Sequence, residues 1–315
     1  MIRFNPHPPV FAGAIQMIAS MSDRVFTQPV YRFAPSPNGY LHLGHAYSAL
    51  CNQRLAREQD GRLLLRIEDI DPQRSRTEYE QAIYDDLAWL GIEWELPVRR
   101  QSENLADYEL ALERLAAREL VYPCFCSRAE IAAAVEGRQA SSGSWPRDPD
   151  GSPFYPGTCK HLSDQDKARR IASGRHAAMR LNMQAALAHV QDKIGWCEFY
   201  ESAEPRDVNA EPSLWRDAVI ARKDVPTSYH LAVVVDDALQ GVTDVVRGMD
   251  LFNATSLHRL LQTLLDLPAP RYHHHRLIED EEGRKLAKSE GAPTLRSLRD
   301  EGVSAQDIRR RLGFD

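Results

Sequence analysis

Cysteine is scarce in this chain: five residues in 315, too few for a disulfide-dense scaffold. Net charge is also small. A formal charge of -6 gives no whole-molecule attraction for a nucleic acid, so any such contact has to come from a local patch. Long apolar runs are missing as well. The stretch Val10 to Met21 is broken by Gly13 and Gln16 and falls short of the roughly 20 residues a bilayer span needs. There is no basic, apolar and small-residue succession of a secretory leader, no internal repeat and no low-complexity tract. These absences set the expectation of a cytoplasmic protein with reduced thiols and no membrane partner. What is there is 43% apolar and 27% charged residues, enough for one large domain or two modest ones.

Residues 1–28 read as a poorly ordered N-terminal extension, with Met17 and Met21 as alternative starts. Val30 to Ala34 reads as a strand, a Pro/Gly loop follows, and a helical pattern runs from Gly44 to Glu58. Arg62 to Ile67 reads as a buried strand, and Glu78 to Leu90 and Asn104 to Glu119 as helices. Such alternation predicts an α/β fold with a parallel sheet. From Tyr122 the texture changes to Cys, Gly, Ser and Pro, with Ser141 to Pro156 a surface loop. Tyr229 to Val235 reads as an apolar strand, Leu257 to Leu265 as a helix, and Arg271 to Ile278 as a strand leading into the loop Asp280 to Gly291. Leu295 to Phe314 has room for a helix or two.

The densest chemistry lies in Arg32 to His45, read RFAPSPNGYLHLGH. His42 and His45 can donate to phosphate oxygens, Gly44 allows close approach, and the N-terminus of the following helix favours an anion. A Pro-rich turn with two incidental histidines is the plain alternative. Arg66-Ile67-Glu68-Asp69-Ile70-Asp71 follows a buried strand, where ligands of open α/β sheets bind. Glu68 is the candidate partner of a substrate ammonium, against a structural ion-pair cluster with Arg66 and Arg74. Cys124, Cys126 and Cys159 can chelate one tetrahedral zinc but leave it a ligand short, and His161 is a chemically usual fourth. Cys51 and Cys197 read as core or surface residues. His273, His274 and His275 cannot converge on one ion if they lie on a strand, because successive side chains alternate in face.

His42-Leu43-Gly44-His45 resembles the HIGH signature of class I aminoacyl-tRNA synthetases, and Ala34-Pro35-Ser36-Pro37 is similar to the glutamyl branch, the glutaminyl branch having Glu at the position of Ser36. Lys285-Leu286-Ala287-Lys288-Ser289 resembles the companion KMSKS loop, with Ala287 in place of the usual serine. The likeness runs from about Tyr31 to Ser289. It implies a Rossmann-type catalytic core, with ATP, accompanied by Mg2+, bound by His42, Gly44, His45, Lys285 and Lys288, and with His42, His45 and Lys288 stabilising charge on the reacting phosphates. It also implies a glutamate pocket of Arg32, Ala34, Ser36, Glu68, Tyr229 and Arg247. Arg32 suits the substrate's side-chain carboxylate, whose unpaired burial would cost several kcal/mol.

Only 26 residues follow Ser289, where full glutamyl enzymes carry a large anticodon-binding domain. Together with the C-x-C, Tyr, Cys pattern, this resembles the shortened glutamyl-synthetase paralogues, in which Tyr155 with Cys124, Cys126 and Cys159 would complete a zinc site and the acceptor is queuosine in the anticodon loop of tRNA(Asp). The expected organisation is therefore a first catalytic half at 29–121, an insertion with the zinc site at 122–228, a second catalytic half at 229–291 and a short helical segment at 292–315. No protein partner is called for, and a monomer is expected. Alternative readings are a fragment charging a tRNA 3′ end, a ligase passing glutamate to a non-tRNA acceptor, and a non-catalytic RNA-binding relic.

Overall fold

The computed structural model describes residues 28–199, 204–279 and 293–314. Strand β1 (Val30–Phe33), helix α1 (Leu43–Glu58) and strand β2 (Arg62–Ile67) form a βαβ unit, continued through α2 (Thr77–Trp89) to β3 (Glu95–Arg100). All three strands pair in parallel, in the order β1-β2-β3. Both β1 and the interior of β2 are buried, which explains their unbroken apolar texture.

After α3 (Leu105–Ala117) the chain builds β4 (Val121–Cys124), α4 (Arg128–Ser142), α5 (Asp164–Ala172), β5 (Ala178–Leu181) and α6 (Met183–Ala188). Then come β6 (Gly195–Glu198), β7 (Arg206–Asn209), β8 (Val219–Ala221), α7 (Tyr229–Leu239), β9 (Asp244–Gly248), α8 (Ala254–Leu264), β10 (Arg271–His275), α9 (Leu295–Asp300) and α10 (Ala305–Leu312). A second sheet has the order β7-β6-β10-β9, and a third, antiparallel sheet the order β4-β5-β8.

Two of these elements correct the sequence reading. Tyr229 to Val235 is helical, because a short apolar run carries no period that separates a buried strand from a buried helix. Residues Leu231 through Ala238 are all buried, so α7 is enclosed on every side. The segment 122–228 is not one inserted body either. Its strands β4, β5 and β8 do form a separate sheet, but β6 pairs in parallel with β10 and belongs to the sheet of the second half.

The first two sheets meet edge to edge where the N–H of Thr243 donates to the carbonyl of Val30 (3.1 Å) and the N–H of Val30 to Thr243 Oγ1 (2.8 Å). Buried Asn52 of α1 donates to the Val246 carbonyl of β9 (3.1 Å), tying the first crossover helix to the second half. A crevice thus opens where the chain leaves β1 and β9, the place where doubly wound sheets hold ligands. The C-terminal helices pack on α1 and α2, with the Leu295 N–H donating to the Leu41 carbonyl (2.8 Å) and Leu295, Leu298, Ile308 and Leu312 in one apolar cluster with Leu43, Leu50 and Leu87.

Asp86 of α2 is fully buried beneath α9, and its closest ion-pair partner, Arg299, stands 3.7 Å away. Burial outweighs Arg299 and lifts the carboxyl to about 6. A carboxyl with a raised folded pKa favours the folded state while protonated and loses that advantage as pH climbs from about 4 through 6. Asp86→Asn is therefore expected to be more stable than the parent by roughly 1–2 kcal/mol at pH 8, with the difference closing below pH 4, as read by urea denaturation at the two pH values.

Candidate active site

A crevice of about 560 Å³ lies between the exits of β1 and β9, lined by Arg32, Ala34, Ser36, His42, Gly44, His45, Glu68, Tyr229 and Arg247. Every described residue that the sequence put at the nucleotide and amino-acid sites therefore lines one cavity. Lys285 and Lys288 lie outside the described residues.

His42 is the N-cap of α1, and its Nδ1 accepts from the N–H of Gly44 (3.1 Å) while Nδ1 of His45 accepts from the N–H of His42 (3.2 Å). A neutral imidazole whose Nδ1 accepts carries its proton on Nε2. The capping box thus fixes both rings as Nε2 donors, 3.8 Å apart between centroids, at a helix N-terminus. Gly44 is required here: a Cβ would fall 2.9 Å from His42 Cε1.

Arg32 reaches the cavity from β1 with its Nε on Asp237 (3.0 Å). Asp237 also takes Nη1 of Arg66 (2.7 Å), and Arg66 Nη2 holds Glu68 (3.1 Å) at the end of β2. Neighbouring Asp236 is fully buried and accepts from Arg99 Nε (2.7 Å), Gln101 Nε2 (2.8 Å) and the Tyr108 hydroxyl. Burial raises the Glu68 carboxyl even though Arg66 and Arg32 oppose the shift. Glu68 is therefore both a member of an ion-pair cluster and a wall of the crevice. Asp69 faces elsewhere and binds the N–H and hydroxyl of Ser102 (2.8 and 2.6 Å).

Tyr229 starts α7, and burial pushes its hydroxyl up to about 12. Arg247, on β9, gives Nε to His274 Nε2 (3.2 Å), Nη1 to His258 Nδ1 (3.1 Å), and Nη2 to Thr255 Oγ1 (2.7 Å) and the Leu251 carbonyl (3.2 Å). The sequence reading missed Asp236, Asp237, His258 and His274. The paired acids at the end of an apolar run were the available signal for the first two; the histidines carried none. His273 binds the Phe199 carbonyl while His274 binds Glu198, so successive rings along β10 take different partners as alternation requires.

At the edge of the third sheet, the sulfurs of Cys124, Cys126 and Cys159 all lie within 4.8 Å of one another. Cys126 and Cys159 sulfurs stand 3.5 Å apart, near the roughly 3.8 Å edge of a tetrahedron with 2.3 Å metal–sulfur bonds. The Tyr155 hydroxyl is 3.5 Å from the Cys126 sulfur and accepts from the Cys159 N–H (2.8 Å). Exposed His161 is not part of the group. The donor set fits one thiophilic ion with Tyr155, not His161, at hand. Fully buried Cys51 and half-buried Cys197 take no part.

Asp237→Asn leaves Arg32 and Arg66 sharing a neutral acceptor in the interior, and an unfolding free energy lower by about 3 kcal/mol is expected from urea denaturation, with a smaller loss in Arg32→Lys, which keeps the charge.

The family described as tRNA synthetases class I (E and Q), catalytic domain, matches residues 29–313. A Glutamyl-Q tRNA(Asp) synthetase of Rhodobacter capsulatus is 47% identical over 291 residues, 90% of this chain and 100% of that protein. Another from Nocardia farcinica is 41% identical over 88% of this chain and 81% of its own length. A glutamate tRNA ligase from Elizabethkingia meningosepticum, solved in complex with its amino acid, superimposes with a TM-score of 0.68 at 26% identity, over 85% of this chain and 54% of that one. The chain thus spans about half of that structure. A Mycobacterium tuberculosis methionyl-tRNA synthetase, at 14% identity and a TM-score of 0.54, shares the fold. The HIGH-like cap, the acid-bearing strand end and these likenesses agree: the chain belongs to the class I tRNA synthetase family of the glutamate and glutamine type, beside the glutamyl-Q tRNA(Asp) synthetases, and is a ligase.

Proposed function

We propose that this enzyme activates glutamate with ATP and transfers the glutamyl group to queuosine in the anticodon loop of tRNA(Asp). The observation that carries the activation step is the convergence, in one crevice, of two Nε2-donating histidines at a helix N-terminus with Arg32, Glu68, Tyr229 and Arg247. ATP, with Mg2+ on its phosphates, lies along the α1 end. Glutamate lies between β1 and β9, its ammonium toward Glu68 and its carboxylates toward Arg32, Arg247 and Tyr229.

A substrate carboxylate oxygen attacks the α-phosphorus, the bond to the bridging oxygen breaks, and pyrophosphate leaves, giving glutamyl-adenylate. His42 and His45 donate to the oxygens that gain charge, a stabilisation larger in the transition state than in the ground state. Lys285 and Lys288 would receive the pyrophosphate. A hydroxyl of queuosine then attacks the acyl carbonyl and AMP departs. The acceptor assignment is supported by the names of relatives that this chain matches over nearly its full length. An unpaired loop base is within reach of a crevice in the way a stacked base is not.

Cys124, Cys126, Cys159 and Tyr155 would hold a structural zinc ion, whose contribution is to lock the β4 end onto the Tyr155–Cys159 turn. The metal content of purified protein is expected near one zinc per chain. Removal by a chelator should lower the melting temperature. Cys159→Ala and Tyr155→Phe should weaken zinc retention in competition with a chromophoric chelator while His161→Ala leaves it unchanged; equal loss in His161→Ala would reassign the fourth ligand.

The acceptor is tested after glutamate-dependent exchange of pyrophosphate into ATP has been measured. Labelled glutamate is then offered to tRNA(Asp) with and without queuosine, each with its 3′ terminal ribose intact or oxidised. Label on the queuosine form alone, unaffected by oxidation, is the expected result. Label that depends on the 3′ ribose would identify a tRNA-charging fragment, and exchange without tRNA labelling would point to a non-tRNA acceptor.

A further inference from the structure

The two arginines that face the amino-acid end of the crevice are held in opposite ways. Arg32 touches a carboxylate directly, with Nε 3.0 Å from Asp237, and Asp237 is shared with Arg66. Arg247 is equally buried, yet among the described residues each of its hydrogen-bond partners is neutral: His274 Nε2, His258 Nδ1, Thr255 Oγ1 and the Leu251 carbonyl. The tautomers of the rings are set by their other contacts. His274 turns Nδ1 to Glu198 (2.8 Å), which leaves Nε2 to accept from Arg247, and Glu198 also takes the Trp196 indole N–H (2.8 Å). His258 turns Nε2 to Nδ1 of His230 (3.1 Å), which leaves its own Nδ1 to accept from Arg247. Burial and the nearby guanidinium push all three imidazoles well down from their usual range, in His274 against the pull of Glu198 toward the charged form. The ring of Tyr272, with the guanidinium carbon 5.3 Å from its centroid, supplies a face that attracts the cation without neutralising it.

We propose that His258, His274 and Thr255 are positioning residues that fix Arg247 through uncharged acceptors, so that no carboxylate touches it directly until the substrate's arrives. A carboxylate in their place would serve as a resident counterion and compete with the substrate. The structural requirement, a hydrogen-bond acceptor at each guanidinium nitrogen, could be met by Asp or Glu as well as by His; the requirement for a neutral acceptor could not. Arg32 meets the substrate already paired with Asp237, whereas Arg247 meets it with no carboxylate among its direct partners. This inference rests on the glutamate-activation reading.

The test compares His258→Asn, whose amide oxygen replaces Nδ1 as a neutral acceptor, with His258→Asp, which puts a charged one there. In pyrophosphate exchange, His258→Asn is expected to raise KM for glutamate a few-fold. His258→Asp should raise it by about 10- to 100-fold, the range for losing a hydrogen-bonded contact to a charged group, with KM for ATP and kcat changed far less. Calorimetric titration with glutamate alone reads the same contrast without turnover. Equal effects of Asn and Asp, or parallel losses in KM for ATP, would overturn the inference. If His258→Asp does not fold by circular dichroism, the same contrast is read at His274, Gln against Glu. Absence of glutamate-dependent exchange in the parent enzyme would instead sink the activation reading itself.

Discussion

Everything at the amino-acid end of the crevice depends on the buried carboxylates Asp236 and Asp237. They sit side by side on α7, yet they reach Arg32 on β1, Arg66 on β2 and Arg99 on β3, so one helix of the second half is bonded to all three strands of the first. Such a cluster contributes little net stability compared with well-packed apolar residues of the same volume, because each charge has to be desolvated. What it supplies is placement. Arg32 and Glu68 point into the crevice because their other contacts are fixed by Asp237 and Arg66, and breaking any one partner leaves a buried charge unmatched.

The halves joined by that cluster also bring two helix N-termini to one cavity. α1 presents His42 and Gly44, α7 presents Tyr229, and both line the same space. Each terminus carries a partial positive charge from unpaired N–H groups. These two ends and two arginines add local positive charge to a crevice that also holds Glu68 and Asp250, although the chain as a whole has a net charge of -6. The global charge is therefore a poor guide to this site; the local field is set by which ends of the helices the fold turns inward.

How much of this was legible depended on whether the signal was local. The strand-loop-helix from Val30 to Glu58 could be read because proline, glycine and the HIGH-like tetrad all sit in one window, and the helix begins within a residue of its expected place. Tyr229 lines the crevice with the other candidate residues, but from a helix rather than the expected strand, since an enclosed helix has no polar face to give it a period. The span 122–228 was misread as a single insertion because the pairing of Glu198 with Tyr272 joins residues far apart in sequence. The acid pair ending an apolar run marks Asp237 as unusual, but its role lies in arginines some 170 and 205 positions away. Tyr155 and Cys159 stood near their partners in sequence, and the cysteines do converge.

Histidine is used in two opposite senses within a few ångströms of one ligand space, and the difference comes from neighbours rather than from the residue. In His42 and His45, backbone N–H groups occupy Nδ1 and so direct a proton-bearing Nε2 outward, the polarity suited to a phosphate. In His258 and His274, one nitrogen is committed as donor to His230 or Glu198, which leaves the other as an acceptor, the polarity suited to a guanidinium. Neither set needs to change protonation to do its part, and burial holds His258 and His274 neutral across the range in which an exposed imidazole would titrate. On the proposed reading the crevice thus offers donors toward a phosphate and, toward the amino acid, a cation with no carboxylate in direct contact, both polarities being set by the surrounding hydrogen bonds.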